Sequence, residues 1–168
     1  MIKIVLQFIP SQEYFKEIIN IVKNDVKTKN LIYVTLSRPY KYVMNLFDEE
    51  KVRMEKLLVI DCVSKRITPL EEDPEKGIFL ESPENITELC IALDQAMKAL
   101  PGEETTTLFD SLSTLLLYHD ENVVGKFANY VINCMRLHDI HSVFIVLEAD
   151  VDKRIVKVIE SLVDEVVR

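Results

Sequence analysis

Short apolar runs alternate with helix-period stretches from one end of the chain to the other. Residues 2–8 (IKIVLQF) are rich in Ile and Val and read as a buried strand. Beyond them Tyr14, Ile18, Ile21, Val22 and Val26 recur three or four apart, the spacing of one helix face, and Ser11 stands where a cap is expected. Residues 31–36 (LIYVTL) predict a second strand. Pro39 then opens a helix that carries Tyr40, Val43, Met44 and Phe47. Residues 57–61 (LLVID) predict a third strand, residues 65–76 an exposed loop with Pro69 and Pro74, and Gly77–Leu80 a short extra strand.

The second half repeats the alternation. Ser82 and Pro83 supply a capping hydroxyl and a first-turn proline for a helix striped with Ile86, Leu89, Cys90, Leu93, Met97 and Leu100, which Pro101 and Gly102 stop. A strand over 105–110 (TTTLFD) precedes a helix over about 122–138, with Val124, Phe127, Val131, Cys134 and Met135 on one face. Residues 142–147 (SVFIVL) form another strand. Asp152 starts a helix with Ile155, Ile159 and Leu162, and VDEVV ends the sequence as a last strand. The order is βαβαβ(β)αβαβαβ. Strands apolar on both sides and separated by helices imply an α/β fold: a parallel sheet covered on both faces and joined by right-handed crossovers.

Composition narrows the chemistry. In 168 residues there are three glycines, Gly77, Gly102 and Gly125, and no two are neighbours. A phosphate loop or a dinucleotide-binding turn needs several glycines within a few residues, where the backbone takes positive φ against the phosphate. Both motifs are excluded. Cys62, Cys90 and Cys134 are odd in number and far apart, without a CxxC pair, so they read as free thiols in a reducing cytosol and not as a zinc site. The opening segment lacks the pattern of a signal peptide, and no stretch reaches the ~20 apolar residues of a membrane span. The expectation is a cytoplasmic protein without a membrane partner. Few glutamines and scattered Glu and Lys match a thermophilic or archaeal composition.

Net charge is −8 but uneven: residues 1–66 carry +4 and residues 67–168 carry −12. An acidic chain is poorly suited to nucleic acid, whose binding depends on neutralised phosphates. The asymmetry suits self-association or an oppositely charged protein partner, although the basic positions Lys23, Lys27, Lys29, Arg38 and Lys41 also read simply as a solvated face.

In parallel sheets ligands sit beyond the carboxyl ends of the strands. Those positions are Pro10, Ser11 and Gln12; Ser37 and Arg38; Cys62 and Ser64; Asp110 and Ser111; and Glu148 and Asp150.

The segment Thr107–Leu116 (TLFDSLSTLL) resembles the Walker B region of KaiC-like ATPases of the RecA superfamily, in which an apolar strand ends in Asp and continues through Ser into apolar residues. Residues 31–36 resemble that family's strand after the phosphate-loop helix. Residues 143–147 resemble the next core strand, and the closing LVDEVV resembles the family's last strand. The likeness spans nearly the full length. It implies a single domain over 1–168: a three-layer sandwich with a mostly parallel central sheet, the RecA-like P-loop NTPase fold without the phosphate loop.

The departures from the family bear on activity. Where the glycine-rich loop and its Lys-Thr belong, the chain has Ile9-Pro10-Ser11-Gln12-Glu13-Tyr14-Phe15. The family's acidic pair aligns with Ser37-Arg38. Only Asp110, the aspartate that would help hold Mg²⁺ through water, remains. Phosphoryl transfer needs a phosphate cradle, a metal-ligand set and a group that orients the nucleophile. Loss of the cradle removes several charge-assisted hydrogen bonds of ~1.5–3 kcal/mol each.

Each candidate carries a plainer alternative. Asp110 and Ser111 are a residual ligand position, or a strand end that caps a loop. Arg38 holds an anion beside the helix that starts near Ser11 and Gln12, or else it pairs with Asp110 or stays in solvent. His138, Asp139 and His141 have a metal-like spacing without a third ligand close by, and His119-Asp120-Glu121 reads as a solvated turn. Cys62 has nothing to activate it as a nucleophile. Glu148 and Asp150 bind a cation or are ordinary loop residues.

The expectation is a domain with no catalytic residues, no metal and no cofactor, acting through a protein partner or as a homo-oligomer. The alternative is a small-molecule or nucleotide-type anion binder built on Ser11, Gln12, Arg38, Asp110 and Ser111. A response-regulator-like domain would need an acidic pair after the first strand, and Gln7-Phe8-Ile9-Pro10 has none.

Overall fold

A computed structural model describes residues 2–67, 77–100 and 104–168. Among the described residues seven strands alternate with six helices: β1 Ile4–Ile9, α1 Tyr14–Asp25, β2 Asn30–Thr35, α2 Tyr40–Glu49, β3 Leu57–Asp61, α3 Ser64–Ile67, β4 Gly77–Phe79, α4 Ile86–Ala99, β5 Thr105–Asp110, α5 Glu121–Leu137, β6 His141–Leu147, α6 Arg154–Glu160 and β7 Glu165–Val167. Two 3-10 helices, Leu112–Leu117 and Glu148–Asp150, follow β5 and β6.

The strands form one sheet in the order β4-β3-β2-β5-β6-β1-β7, and every pairing is parallel. The predicted α/β class thus holds, and the sheet is parallel throughout. β1 lies between β6 and β7, with β3 and β4 extending the sheet beyond β2, an arrangement consistent with a RecA-like sandwich.

The apolar strands serve two cores. On one face Val5, Ile9, Leu31, Tyr33 and Leu108 pack under Tyr14, Ile18 and Val22 of α1 and Val43 and Phe47 of α2. On the other, Leu6, Phe8, Ile32, Phe109 and Phe144 pack under Leu89 and Leu93 of α4, Phe127 and Val131 of α5, and Ile155 of α6. Phe109 and Phe144 are register partners on β5 and β6 and stack with centroids 4.6 Å apart. Such a pair adds ~0.5–1.5 kcal/mol to its burial. Gly125 brings α5 and α6 close: a Cβ there would stand 3.1 Å from Ile155 Cδ1. Asp164 locks β7 beside β1 by accepting from the Ile4 N–H at 2.9 Å and from Arg136 at 2.8 Å, and these bonds, the backbone one foremost, hold its carboxyl below the usual range.

Three predicted starts move, and a fourth helix gains a cap that was not predicted. Ser11 does not cap α1, which begins at Tyr14 behind Glu13 with no side-chain cap, because the Glu13 N–H bonds back to the Pro10 carbonyl and closes a turn first. Ser82 does not cap α4. Its hydroxyl accepts from the Glu84 N–H in a preceding turn, and Asn85 Oδ1 caps the helix by accepting from the Glu88 N–H at 3.0 Å. Asp120, read as part of a solvated turn, caps α5 with bonds of 2.9 and 3.0 Å from the Asn122 and Val123 N–H groups. The last helix starts at Arg154 behind Lys153, two residues after Asp152. The segment expected to be loop begins with the single turn α3, while Pro69, Pro74, Pro101 and Gly102 lie outside the described residues.

These starts can be checked. Asn85→Ala should lower stability by about 1 kcal/mol, a fall in Tm of roughly 2–4 °C for a domain of this size. Ser82→Ala should cost less than half of that. Thermal unfolding with the order reversed would show the helix beginning at Ser82.

Candidate functional site

The carboxyl ends of the strands lie along one edge of the sheet. Register places Thr35 of β2 opposite both Asp61 of β3 and Asp110 of β5, so three polar side chains stand in a row where the apolar strands stop. All three are buried, at 1% exposure or less. A buried polar group needs partners, and the partners show what each one does.

Asp61 is fully occupied. Its carboxylate accepts from the Val63 and Ser64 N–H groups at 2.6 and 2.7 Å, the Tyr40 N–H at 2.5 Å and the Ser64 hydroxyl at 2.5 Å. It thereby ties the start of α2 and the start of α3 to the end of β3. Thr35 Oγ1 donates to the Arg38 carbonyl at 2.7 Å and accepts from the Arg38 N–H at 3.2 Å, which folds the β2–α2 connection into a tight turn. The Asp61 carboxylate has no capacity left for a ligand, and the one proton of the Thr35 hydroxyl is committed to the turn.

Asp110 differs. Tyr33, two residues before the end of β2 and on the same side of the sheet, donates its hydroxyl to Asp110 Oδ2. Oδ1 has no partner among the described residues. Burial pushes the Asp110 carboxyl up to about 7 and raises the Tyr33 hydroxyl well above its usual range, against a small opposing pull from the Arg38 charge. The peptide between Asp110 and Ser111 is cis. Ser111 is buried, and its carbonyl accepts from the Thr114 N–H at the start of a 3-10 helix.

Arg38 is half-buried, with its guanidinium carbon 4.7 Å from the Tyr14 ring centre and 4.3 Å from that of Phe15, on the first turn of α1. Each such contact contributes ~0.5–1 kcal/mol or more when desolvated. The guanidinium also donates to Ser37 Oγ at 3.3 Å and pairs with no carboxylate among the described residues. The expected alternatives for Arg38, an Asp110 ion pair or full exposure, are therefore both replaced by aromatic stacking. Ser11 and Gln12 are exposed on the turn that precedes α1.

The remaining candidates resolve separately. Glu148 is exposed, and Asp150 pairs with Lys153 at 2.7 Å. Glu148 also borders an open cleft with Phe8, Val151 and Arg168, where β1 and β6 send their following helices to opposite faces. The cation there is Arg168, stacked 4.7 Å from Phe8 and paired with Glu160 at 2.5 Å. His141 Nδ1 accepts from the Lys3 N–H at 3.3 Å, and burial, then the Lys29 charge, hold its pKa below the usual value. His138 caps the end of α5, and Asp139 takes the left-handed φ of 56° that closes the helix. Among the described residues no three His, Cys, Asp or Glu gather as metal ligands. Cys62 is fully buried, and burial followed by the charges of Asp61 and Glu88 raises its thiol far above the usual range.

Sequence reading passed over Tyr33 and Asp61. The apolar stretch LIYVTL disguised Tyr33 as a core residue, and only the strand register sets its hydroxyl against Asp110. Asp61 carried a usable signal: a lone acid at the end of LLVID, three residues before a serine.

A family model described as "Family of unknown function (DUF7504)" matches residues 23–168, and the chain belongs to that family. No curated protein matches it. Among solved structures it is similar to part of Thermomonospora curvata EccC (ATPases 2 and 3, in complex with a signal sequence peptide), at 13% identity and a TM-score of 0.48 over 95% of this chain. The chain spans 28% of that structure's length. Among the described residues no helix is long and apolar enough to cross a membrane.

The Asp110 environment has a pH signature. With the folded pKa near 7, the native state keeps a proton that the unfolded chain releases near pH 4. The group's contribution to stability is complete below about pH 4 and is lost as pH rises through about 7. Asp110→Asn keeps the acceptor and cannot ionise. Its stability relative to the parent protein should rise by a few kcal/mol at most between pH 4 and 8, as measured by urea unfolding. A constant difference would mean that Asp110 ionises in the native state as it does in water. Tyr33→Phe strands both carboxyl oxygens and should cost about 1–3 kcal/mol.

Proposed function

We propose that this chain is a KaiC-like member of the RecA superfamily that has given up phosphoryl transfer and works through protein contacts, including contacts with copies of itself. The observation that carries the reading is the state of Asp110. A carboxyl at 1% exposure, bonded to Tyr33 and inclined to hold its proton, is a poor ligand for hydrated Mg²⁺. The turn from Pro10 to Glu13 supports the same reading, because its closing backbone bond and lack of glycine leave no nest for a triphosphate. For the contacts themselves, Tyr130 and Leu137 of α5 are 55% and 79% exposed beside a groove that α5 shares with α4, an apolar surface of the sort that protein partners cover.

A second reading, an anion binder, is favoured by one observation: the Arg38 charge stands over the first turn of α1 with no carboxylate partner among the described residues, beside the exposed Ser11 and Gln12.

Three measurements separate these readings. Purified protein with Mg-ATP should show no turnover; turnover that disappears in Asp110→Ala would end the first reading. Sedimentation equilibrium should show species larger than the 19.5 kDa chain, returned to monomer by Tyr130→Asp or Leu137→Asp. The anion reading predicts a rise in Tm with millimolar nucleotide or phosphate, lost in Arg38→Ala, since a ligand for the native state stabilises by RT ln(1 + [L]/Kd).

A further inference from the structure

The groove between α4 and α5 has a volume of about 210 Å³ and gathers Cys90, Met97, Tyr130, Cys134 and His138 along its walls. Three of these carry sulfur. Cys90 and Met97 lie two turns apart on α4, and Cys134 faces them from α5. Both cysteines are partly exposed, whereas Cys62 is sealed in the core. The two thiols line the same groove from facing helices, and burial, then Cys134, raises the Cys90 thiol above its usual value. Tyr130 stands one helical turn before Cys134 on α5, on the same wall of the groove.

Thiolate and thioether donors select soft ions such as Cu(I) over hard, oxygen-seeking cations. A tetrahedral zinc site needs three or four protein ligands, and no such group of His, Cys, Asp or Glu assembles among the described residues. A soft d10 ion held linearly needs two thiolates only. Two thiols on facing helices open into one groove beside a thioether, which is the donor set such an ion takes.

We propose that Cys90 and Cys134 form a two-thiolate site for a soft monovalent ion of the Cu(I) class, bridging α4 and α5 with the Met97 thioether alongside. Binding is ligand exchange. Each thiol gives its proton to water, two metal–sulfur bonds form, and the ion keeps its oxidation state, so no oxidant is involved. The site does not depend on self-association, although an ion there would clamp the two helices under Tyr130 and Leu137.

The test uses the full chain, reduced and kept anaerobic, titrated with Cu(I) against a chromophoric Cu(I) chelator, and with Ag(I) as an air-stable counterpart. Native mass spectrometry should show one ion per chain with two protons displaced. Cys90→Ser and Cys134→Ser should each weaken binding by at least about a hundredfold, since disturbing even an outer-shell partner costs ~10–100-fold. Cys62→Ala should bind as the parent does. On the parent protein, bound ion should slow N-ethylmaleimide alkylation of Cys90 and Cys134 together, a readout independent of how the variants fold. Undiminished binding in either serine variant, or protection of one thiol alone, would overturn the proposal.

Discussion

One hydrogen bond organises the centre of this sheet: the Tyr33 hydroxyl reaching the Asp110 carboxyl across adjacent strands. At 1% exposure the Asp110 side chain is cut off from water and needs a partner within the protein. Asp110 is tolerated there because Tyr33 supplies a donor and because the carboxyl can keep its proton and so avoid burying a charge. Tyr33 in turn is held by its own packing, edge to face against Phe47 of α2 at 5.3 Å. The strand-end carboxyl of β5 is thus built into the core of this chain.

The neighbouring strand ends follow the same rule with different solutions. Asp61 stays buried by gathering three backbone N–H groups and one hydroxyl, and in doing so fixes where α2 and α3 begin. Thr35 satisfies its hydroxyl within its own turn. That turn carries Arg38 back over Tyr14 and Phe15 at the first turn of α1. Between β3, β2 and β5 the strand-end side chains are thus satisfied largely by the chain itself.

Much of the fold was legible because burial writes itself into composition. Runs such as LIYVTL and SVFIVL are apolar at all but one position, a pattern suited to a strand buried on both sides, and the stripes of α1, α4 and α5 keep helical spacing. Helix starts were less legible. Ser11 and Ser82 are good capping residues chemically, yet each preceding turn closes first and passes the start of the helix to Glu13 and Asn85. The candidate site was legible as a set of positions and not as a set of partners. Arg38 was recognisable as an unusual cation at a strand end, but its stacking on Tyr14 and Phe15 joins residues more than twenty positions apart.

The amino-acid sequence alone determined the α/β class, the succession of elements and the lack of a glycine-rich phosphate loop, since each of these is a matter of local pattern or of residue supply. The tertiary structure decided the strand order, and with it the meeting of Tyr33 with Asp110 and of Arg38 with α1. Those contacts depend on which strands and helices lie side by side, and a linear pattern of apolar positions holds no record of that.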